Sequence, residues 1–134
     1  MTQWRLVVTA LALIAALAGC ATLDEKQRAW IFQPSDRSWG GETVAEGMQD
    51  VWIDFDSRLS GGAARLHGLW LPHESASAPV LLYLHGARWN VVGSAGRIRR
   101  MQELGFSVLA IDYRGFGKSS RGLPSEALAA EDAR

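Results

Sequence analysis

Two uncharged apolar runs, Val80-Leu-Leu-Tyr-Leu84 and Phe106-Ser-Val-Leu-Ala-Ile111, flank a single amphipathic stretch. No other feature limits the possible folds as strongly. Short apolar runs bounded by turn residues suit strands buried on both faces of a sheet. Between them, Ser94 to Leu104 reads as a helix. Ile98, Met101 and Leu104 recur every third residue, with Arg97, Arg99, Arg100 and Gln102 between them. Gly105 is a natural helix stop, because it tolerates the left-handed turn that ends many helices. A strand–helix–strand unit implies a parallel pair joined by a crossover. Helices should then cover a mostly parallel sheet.

The flanking sequence extends this unit. Val51, Ile53 and Phe55 alternate with Trp52, Asp54 and Asp56, the pattern of a strand with one buried face. The two glycines between Ser57 and Gly62 mark a turn, and Ala64 to Leu71 reads as a second strand stopped by Pro72. Together they predict a hairpin. After the second apolar run, Pro124-Ser-Glu126 opens another helix that is still good helix sequence at Arg134, with no Gly, Asn or Pro to close it. The expected class is α/β: a hairpin, then strand, helix, strand, helix, in an incomplete sheet. The expectation is a piece of a longer protein.

The N-terminus has a different character. Arg5 supplies positive charge, and an uncharged apolar run follows from Leu6. Counted to Gly19, the run spans about fourteen residues, as in a signal peptide and short of the ~20 that cross a bilayer. It closes on Leu17-Ala-Gly-Cys20. Cys20 is the sole cysteine, so it has no internal disulfide partner, and a cysteine-based zinc site is excluded. The segment resembles the lipobox of bacterial lipoproteins. That resemblance implies diacylglycerol on the Cys20 thiol, cleavage after Gly19, and N-acylation as a second anchoring signal. The expected location is the cell envelope, lipid-anchored and facing the periplasm. Ala21, in place of Asp, favours the outer membrane. The expected division is a signal peptide over 1–19, a membrane tether and lead-in over 20–50, and a partial domain over 51–134. Pro34-Ser-Asp36 and Trp39-Gly-Gly41 are turn signals within the tether. Lys plus Arg and Asp plus Glu both number 14, so the formal charge is zero. Such a balance leaves no footprint for nucleic acid.

The first apolar run ends on His85-Gly86. Ligands bind at the C-terminal edge of strands in open α/β sheets. Gly86 tolerates a sharp turn there, and the backbone amide of Ala87 can then face a developing oxyanion with preset geometry. Tyr83-Leu-His-Gly-Ala87, Gly105-Phe-Ser-Val-Leu-Ala-Ile-Asp-Tyr-Arg-Gly-Phe-Gly-Lys-Ser119 and Pro124-Ser-Glu126 resemble the N-terminal half of α/β-hydrolases. The match is strongest to the Bem46-like and serine aminopeptidase-like branch. Arg65-Leu-His-Gly-Leu-Trp-Leu-Pro72 fits the second strand of that branch. The resemblance covers about Trp52 to Arg134. It implies that the Ala87 amide is one oxyanion-hole donor, with Gly86 forming the turn, and that a second donor follows the nucleophile.

The remaining candidates rank below this loop. His85, His67 and His73 come too early to be the triad base, which is last in the family. His67 reads as structural and His73 as an exposed loop residue. Arg88, Trp89 and Asn90 would either line the rim of a pocket or pack the loop. Many relatives carry Asn where Ala87 stands, so substrate preference does not transfer. Gly93-Ser-Ala-Gly96 mimics a nucleophile elbow, but residue 92 is Val, and Ser94 reads as a helix N-cap. Gly117-Lys-Ser-Ser120 mimics a phosphate loop, but its first glycine would fall at Asp112. Asp112 and Arg114 are expected to hydrogen-bond within their own loop.

A serine hydrolase needs a nucleophile, a base and an orienting acid. The chain holds no nucleophile elbow, so the catalytic triad is expected beyond Arg134 and the chain alone is expected to be inactive. A dehalogenase-like parent with an Asp nucleophile stays open. The leading reading is the N-terminal part of a membrane-anchored lipoprotein hydrolase acting on ester, thioester or amide bonds. Its partners would be the membrane, through Cys20, and a small-molecule or peptide substrate. The alternative is a non-catalytic envelope lipoprotein that retains half a hydrolase fold. No metal or organic cofactor is implied. In the family fold, Val80–Leu84 would stand unpaired on one side without the next strand, an edge that tends to aggregate.

Overall fold

The computed structural model describes residues 2–35 and 42–134. It divides into two compact units, residues 1–31 and 32–134.

The first unit is one helix, α1 (Thr2–Ile31), of 30 residues. The helix does not stop near Gly19 but runs through Cys20, which is exposed on it. Its uncharged stretch extends from Leu6 through Leu23, bounded by Arg5 and Asp24. By length and composition this helix could cross a membrane, a test that a signal sequence near the N-terminus also passes. The cause is local: Ala21, Thr22 and Leu23 add no charge, and nothing from Asp24 to Ile31 breaks a helix.

The second unit begins before the expected domain start. β1 (Gln33–Pro34) is followed, after residues 36–41, by a 3₁₀ turn over Glu42–Ala45. The lead-in is thus partly ordered, and Pro34 sits in a strand rather than a turn. The turn signal Trp39-Gly-Gly41 lies outside the described residues. Next come β2 (Gln49–Ser57), β3 (Gly62–Leu71), β4 (Val80–Leu84), β5 (Arg88–Trp89), a 3₁₀ turn (Val92–Ser94), α2 (Ala95–Glu103), β6 (Ser107–Ile111) and α3 (Glu126–Asp132).

The main sheet has the order β2-β3-β6-β4. The hairpin pairs antiparallel from Ser57↔Gly62 to Gln49↔Trp70, and β3 pairs antiparallel with β6. The strand–helix–strand unit contributes the parallel pair, β4 with β6, from Val80↔Ser107 to Leu84↔Ile111. β3 approaches β6 closely at Gly68, where a Cβ would stand 2.6 Å from the Ala110 carbonyl oxygen. β1 and β5 form a separate two-stranded parallel pair.

α2 seals one face of the main sheet. Ile98 is fully buried against Leu69, Leu71, Val91, Val108 and Ala110, with Leu81, Tyr83, Met101 and Phe106 around them. The helix ends as its sequence suggests. Gly105 adopts φ +99°, its amide donates to Gln102 O and the Phe106 amide to Met101 O, the paired bonds of a Schellman stop. Leu104, read as part of the buried stripe, falls past the helix end and is exposed.

β4 also departs from its reading as a strand buried on both faces. Val80, Leu82 and Leu84 are 65%, 44% and 40% exposed. Among the described residues β4 pairs only with β6 and stands at the sheet edge, and on its face opposite α2 an open cavity borders Leu82. β6, with a partner on each side, is buried at Ser107, Val108, Ala110 and Ile111.

Candidate functional site

β4 and β6 end side by side, and both ends carry polar residues. Ile111 pairs with Leu84, which brings Asp112 next to His85. Asp112 is 1% exposed, and this buried carboxylate organises the region. Its Oδ1 accepts from the Val91 amide at 2.6 Å, and its Oδ2 lies 3.1 Å from His67 Nδ1. His85 Nε2 stands 3.3 Å from Asp112 Oδ1, within ion-pair range but off the hydrogen-bond direction. His67 is fully buried, and its Nε2 meets Asp50 Oδ1 at 2.5 Å. Lys118 Nζ donates to the same Asp50 oxygen at 3.2 Å.

Register explains how the cluster forms. Trp52 pairs with His67 and Asp50 with Leu69, so Asp50 and His67 come onto neighbouring strands. The Asp112 amide donates to His67 O at 2.8 Å, extending the β3–β6 ladder by one bond. Ser119 Oγ then accepts from the His67 amide at 2.9 Å and donates to Asp112 O at 2.6 Å. A Cβ on Gly117 would collide with the Asp112 carboxylate, and the residue has φ +47°. The Gly117-Lys-Ser-Ser120 segment is thus a clasp around Asp112.

The electrostatics follow from these contacts. Burial pushes the Asp112 carboxyl up, but hydrogen bonds from His67 and the Val91 amide, together with the adjacent His85 ring, bring it below the usual carboxylate range. Asp50 is lowered mainly by its hydrogen bond from His67. Burial disfavours charge on His67, yet the two carboxylates outweigh it and raise the imidazole above its ordinary value. The cluster therefore favours an imidazolium between two carboxylates.

Above the cluster runs the candidate loop. Among the described residues the Ala87 amide has no acceptor. It follows the end of the parallel strand β4. His85 Nδ1 lies 2.7 Å from Gly86 O, which fixes the ring against its own turn. A cavity of about 260 Å³ opens beside Ala87, lined among others by Phe32, His85, Gly86, Tyr113 and Phe116. Its walls are mainly apolar.

The loop is braced on its other side. The Gln33 amide donates to Ala87 O at 2.9 Å, and Gln33 and Pro34 pair with Arg88 and Trp89. Asn90, 5% exposed, donates from Nδ2 to Ser35 O at 3.0 Å and accepts at Oδ1 from the Gly93 amide at 3.1 Å. Asn90 therefore packs the loop. Trp89 has φ +71°, a conformation that costs a non-glycine residue of order 1–3 kcal/mol and persists only where surrounding bonds enforce it.

The other sequence candidates fall as follows. Ser94 occupies the N-cap position of α2, but its side chain makes no capping bond. His73 is half-buried rather than exposed, and its Nδ1 accepts from the Ser75 amide. Asp112 bonds beyond its own loop. So does Arg114: it donates to Asp132 Oδ1 at 2.7 Å and Ser57 Oγ at 2.6 Å, and it pairs with Glu131. Sequence reasoning missed Asp50, the pairing of His67 with two carboxylates and the bracing role of Gln33–Ser35. A His inside an apolar strand pattern was the one available signal for the cluster. Cys20 lies in the separate first unit.

A hairpin feeding a strand–helix–strand unit is the arrangement of the N-terminal part of an α/β-hydrolase-like fold, and a solved structure shares it. The chain superposes on the crystal structure of a probable hydrolytic enzyme from Pseudomonas aeruginosa with a TM-score of 0.55 and 23% identity, over 76% of this chain and 32% of that one. It is 31% identical over 129 residues to an uncharacterized protein of Mycobacterium tuberculosis, covering 96% of this chain and 44% of that protein. It is also 27% identical over 111 residues to the uncharacterized Escherichia coli protein YfhR, covering 77% of this chain and 35% of that protein. The chain thus spans less than half the length of these curated relatives. No family model matches it.

Proposed function

We propose that this chain is the N-terminal part of a membrane-anchored lipoprotein hydrolase whose full form cleaves ester, thioester or amide bonds through a serine nucleophile. The observation that carries the reading is the Ala87 amide, without an acceptor among the described residues at the end of β4 in a hydrolase fold. In such a reaction the serine oxygen attacks the acyl carbon, and the carbonyl oxygen gains negative charge. The Ala87 N–H would donate to that oxygen, with a second donor from the residue after the nucleophile. Asp112 and His67 would hold the loop in place without touching substrate. Cys20 would carry the lipid, and the apolar cavity beside Ala87 would take the acyl portion.

The test uses the full-length gene product. Ala87→Pro deletes the donor N–H and nothing else polar. We expect kcat for a p-nitrophenyl acyl ester to fall about 10²- to 10³-fold with KM little changed. Unchanged kcat would refute the oxyanion role. A full-length product that neither turns over esters nor labels with a fluorophosphonate would favour the non-catalytic envelope lipoprotein. Metabolic labelling with palmitate, lost in Cys20→Ser, tests the anchor separately.

A further inference from the structure

Two cavities meet at the His85–Ala87 turn. The apolar one is walled by Phe32, Tyr113 and Phe116. The other, of about 460 Å³, shares His85, Gly86 and Ala87 with it and continues over Arg88, Ser94 and Arg97. No acidic residue among those described lines this second cavity. Arg88 and Arg97 are exposed, and among the described residues neither guanidinium has a hydrogen bond or an ion pair. Their neighbours on α2 differ: Arg99 donates to Val44 O and Glu46 O, and Arg100 pairs with Glu103. The cavity beside Lys118 also differs, since Glu46, Asp50 and Asp112 line it along with Lys118 and Arg121. Arg97 lies in the first turn of α2 (Ala95–Glu103), which holds no acidic residue. A helix N-terminus carries partial positive charge and favours an anion, so a cation there is disfavoured until an anion joins it. Ser94 is 6% exposed and borders the same cavity. Its hydroxyl makes no capping bond and has no hydrogen-bond partner among the described residues. Buried hydroxyls normally find a partner, and an anion in the cavity would supply one.

We infer that Arg88, Ser94 and Arg97 form an anion subsite beside the Ala87 amide, so that the site takes acyl compounds whose leaving portion carries a carboxylate or phosphate. This deepens the proposed hydrolase reading and rests on it for the bond that is cleaved. An acyl group at Ala87 meets two cavities of opposite character. The apolar walls suit its chain, and the cationic cavity suits an anionic alcohol, thiol or amine portion. Each guanidinium offers charge-assisted hydrogen bonds in a planar fork that matches carboxylate and phosphate oxygens. The Ser94 hydroxyl adds a neutral donor to the same group.

The experiment uses the full-length gene product and a matched pair of esters, o-nitrophenyl octanoate and its ring-carboxylated analogue. The parent should favour the carboxylated ester in kcat/KM. In the double variant Arg88→Gln, Arg97→Gln, the ratio of the two kcat/KM values should fall about 10- to 100-fold, mainly through KM for the carboxylated ester. Arg97→Lys should retain part of the preference. A ratio that the double variant leaves unchanged overturns the subsite. Calorimetric titration with octylphosphonate needs no turnover. Its Kd should weaken about tenfold or more in the double variant, and an equal Kd overturns the subsite as well. A product that cleaves neither ester yet binds octylphosphonate through these arginines removes the hydrolase reading and upholds the anion subsite.

Discussion

Along β4, Leu81 and Tyr83 lie against α2, whereas Val80, Leu82 and Leu84 on the opposite face are exposed. The helices on the two faces are held by different forces. α2 is held by apolar contact, with Ile98 buried among Leu69, Val108 and Ala110. α3 is held largely by charge. Glu131 accepts from Ser57 Oγ at 2.7 Å and from the Arg58 amide at 2.8 Å, and Arg114 pairs with both Glu131 and Asp132. Between α3 and the sheet, a cavity of about 340 Å³ remains, bordered by Ile53, Phe55, Leu66, Leu82, Leu109 and Ile111. Similar apolar strands can thus be sealed or left open, and their neighbours decide which.

The largest effect should come from placing one charge on each strand. Val108 is fully buried in β6, and Val108→Asp should destabilise by about 4 kcal/mol or more, since the charge gains no partner. Leu82→Asp on the open face should cost about 1 kcal/mol or less and should reduce aggregation at the edge. Urea titration of the chain in detergent micelles measures both, and equal losses would show that β4 is buried after all. Next in size, Ile98→Ala should cost about 2–5 kcal/mol through the cavity it leaves under α2. A loss below 1 kcal/mol would mean that α2 does not carry the core.

The smallest effect concerns pH and should single out the ionic face. The Ser57 hydrogen bond, Arg114 and two backbone amides lower Glu131 from 4.5 to about 2. A depressed carboxyl stabilises the fold above its unfolded value, and that contribution fades as pH falls from about 4.5 towards 2. Asp50 and Asp112 act in the same direction below 3.8. Asp132 acts the other way: burial raises it, so its protonated form favours the fold and that contribution is lost as pH rises. His67 is raised above 6.5, and its contribution is complete below that value and lost as pH climbs through the folded pKa. Melting curves should therefore fall on both the acid and the alkaline side. A flat melting temperature between pH 4.5 and 2 would remove Glu131 from the account.

Much of the architecture was legible because it rests on local pattern. The alternation at Val51–Phe55, the run at Phe106–Ile111 and the spacing of Ile98 and Met101 each mark an element whichever way it packs. Gly105 marked a stop because its conformation is a property of the residue. The candidate donor was legible through His85-Gly86-Ala87 after an apolar strand. The polar cluster was not. Asp50, His67 and Asp112 are far apart in sequence, and nothing in their local pattern specifies which residue on one strand faces which on another. The pairing of Gln33–Pro34 with Arg88–Trp89 was hidden for the same reason, since it is made by backbone atoms that every residue carries.

The sequence by itself determined the hairpin, the two apolar strands, the helix between them and the place of the apolar leader, because periodicity, hydropathy and turn chemistry act over a few residues. Tertiary structure alone decided that the face of β4 opposite α2 stays exposed, that His67 sits between two carboxylates, and that the segment after the leader is tied to the candidate site. Register, burial and approach depend on what each element meets across space, and a run such as Val80–Leu84 reads the same whether or not anything covers it.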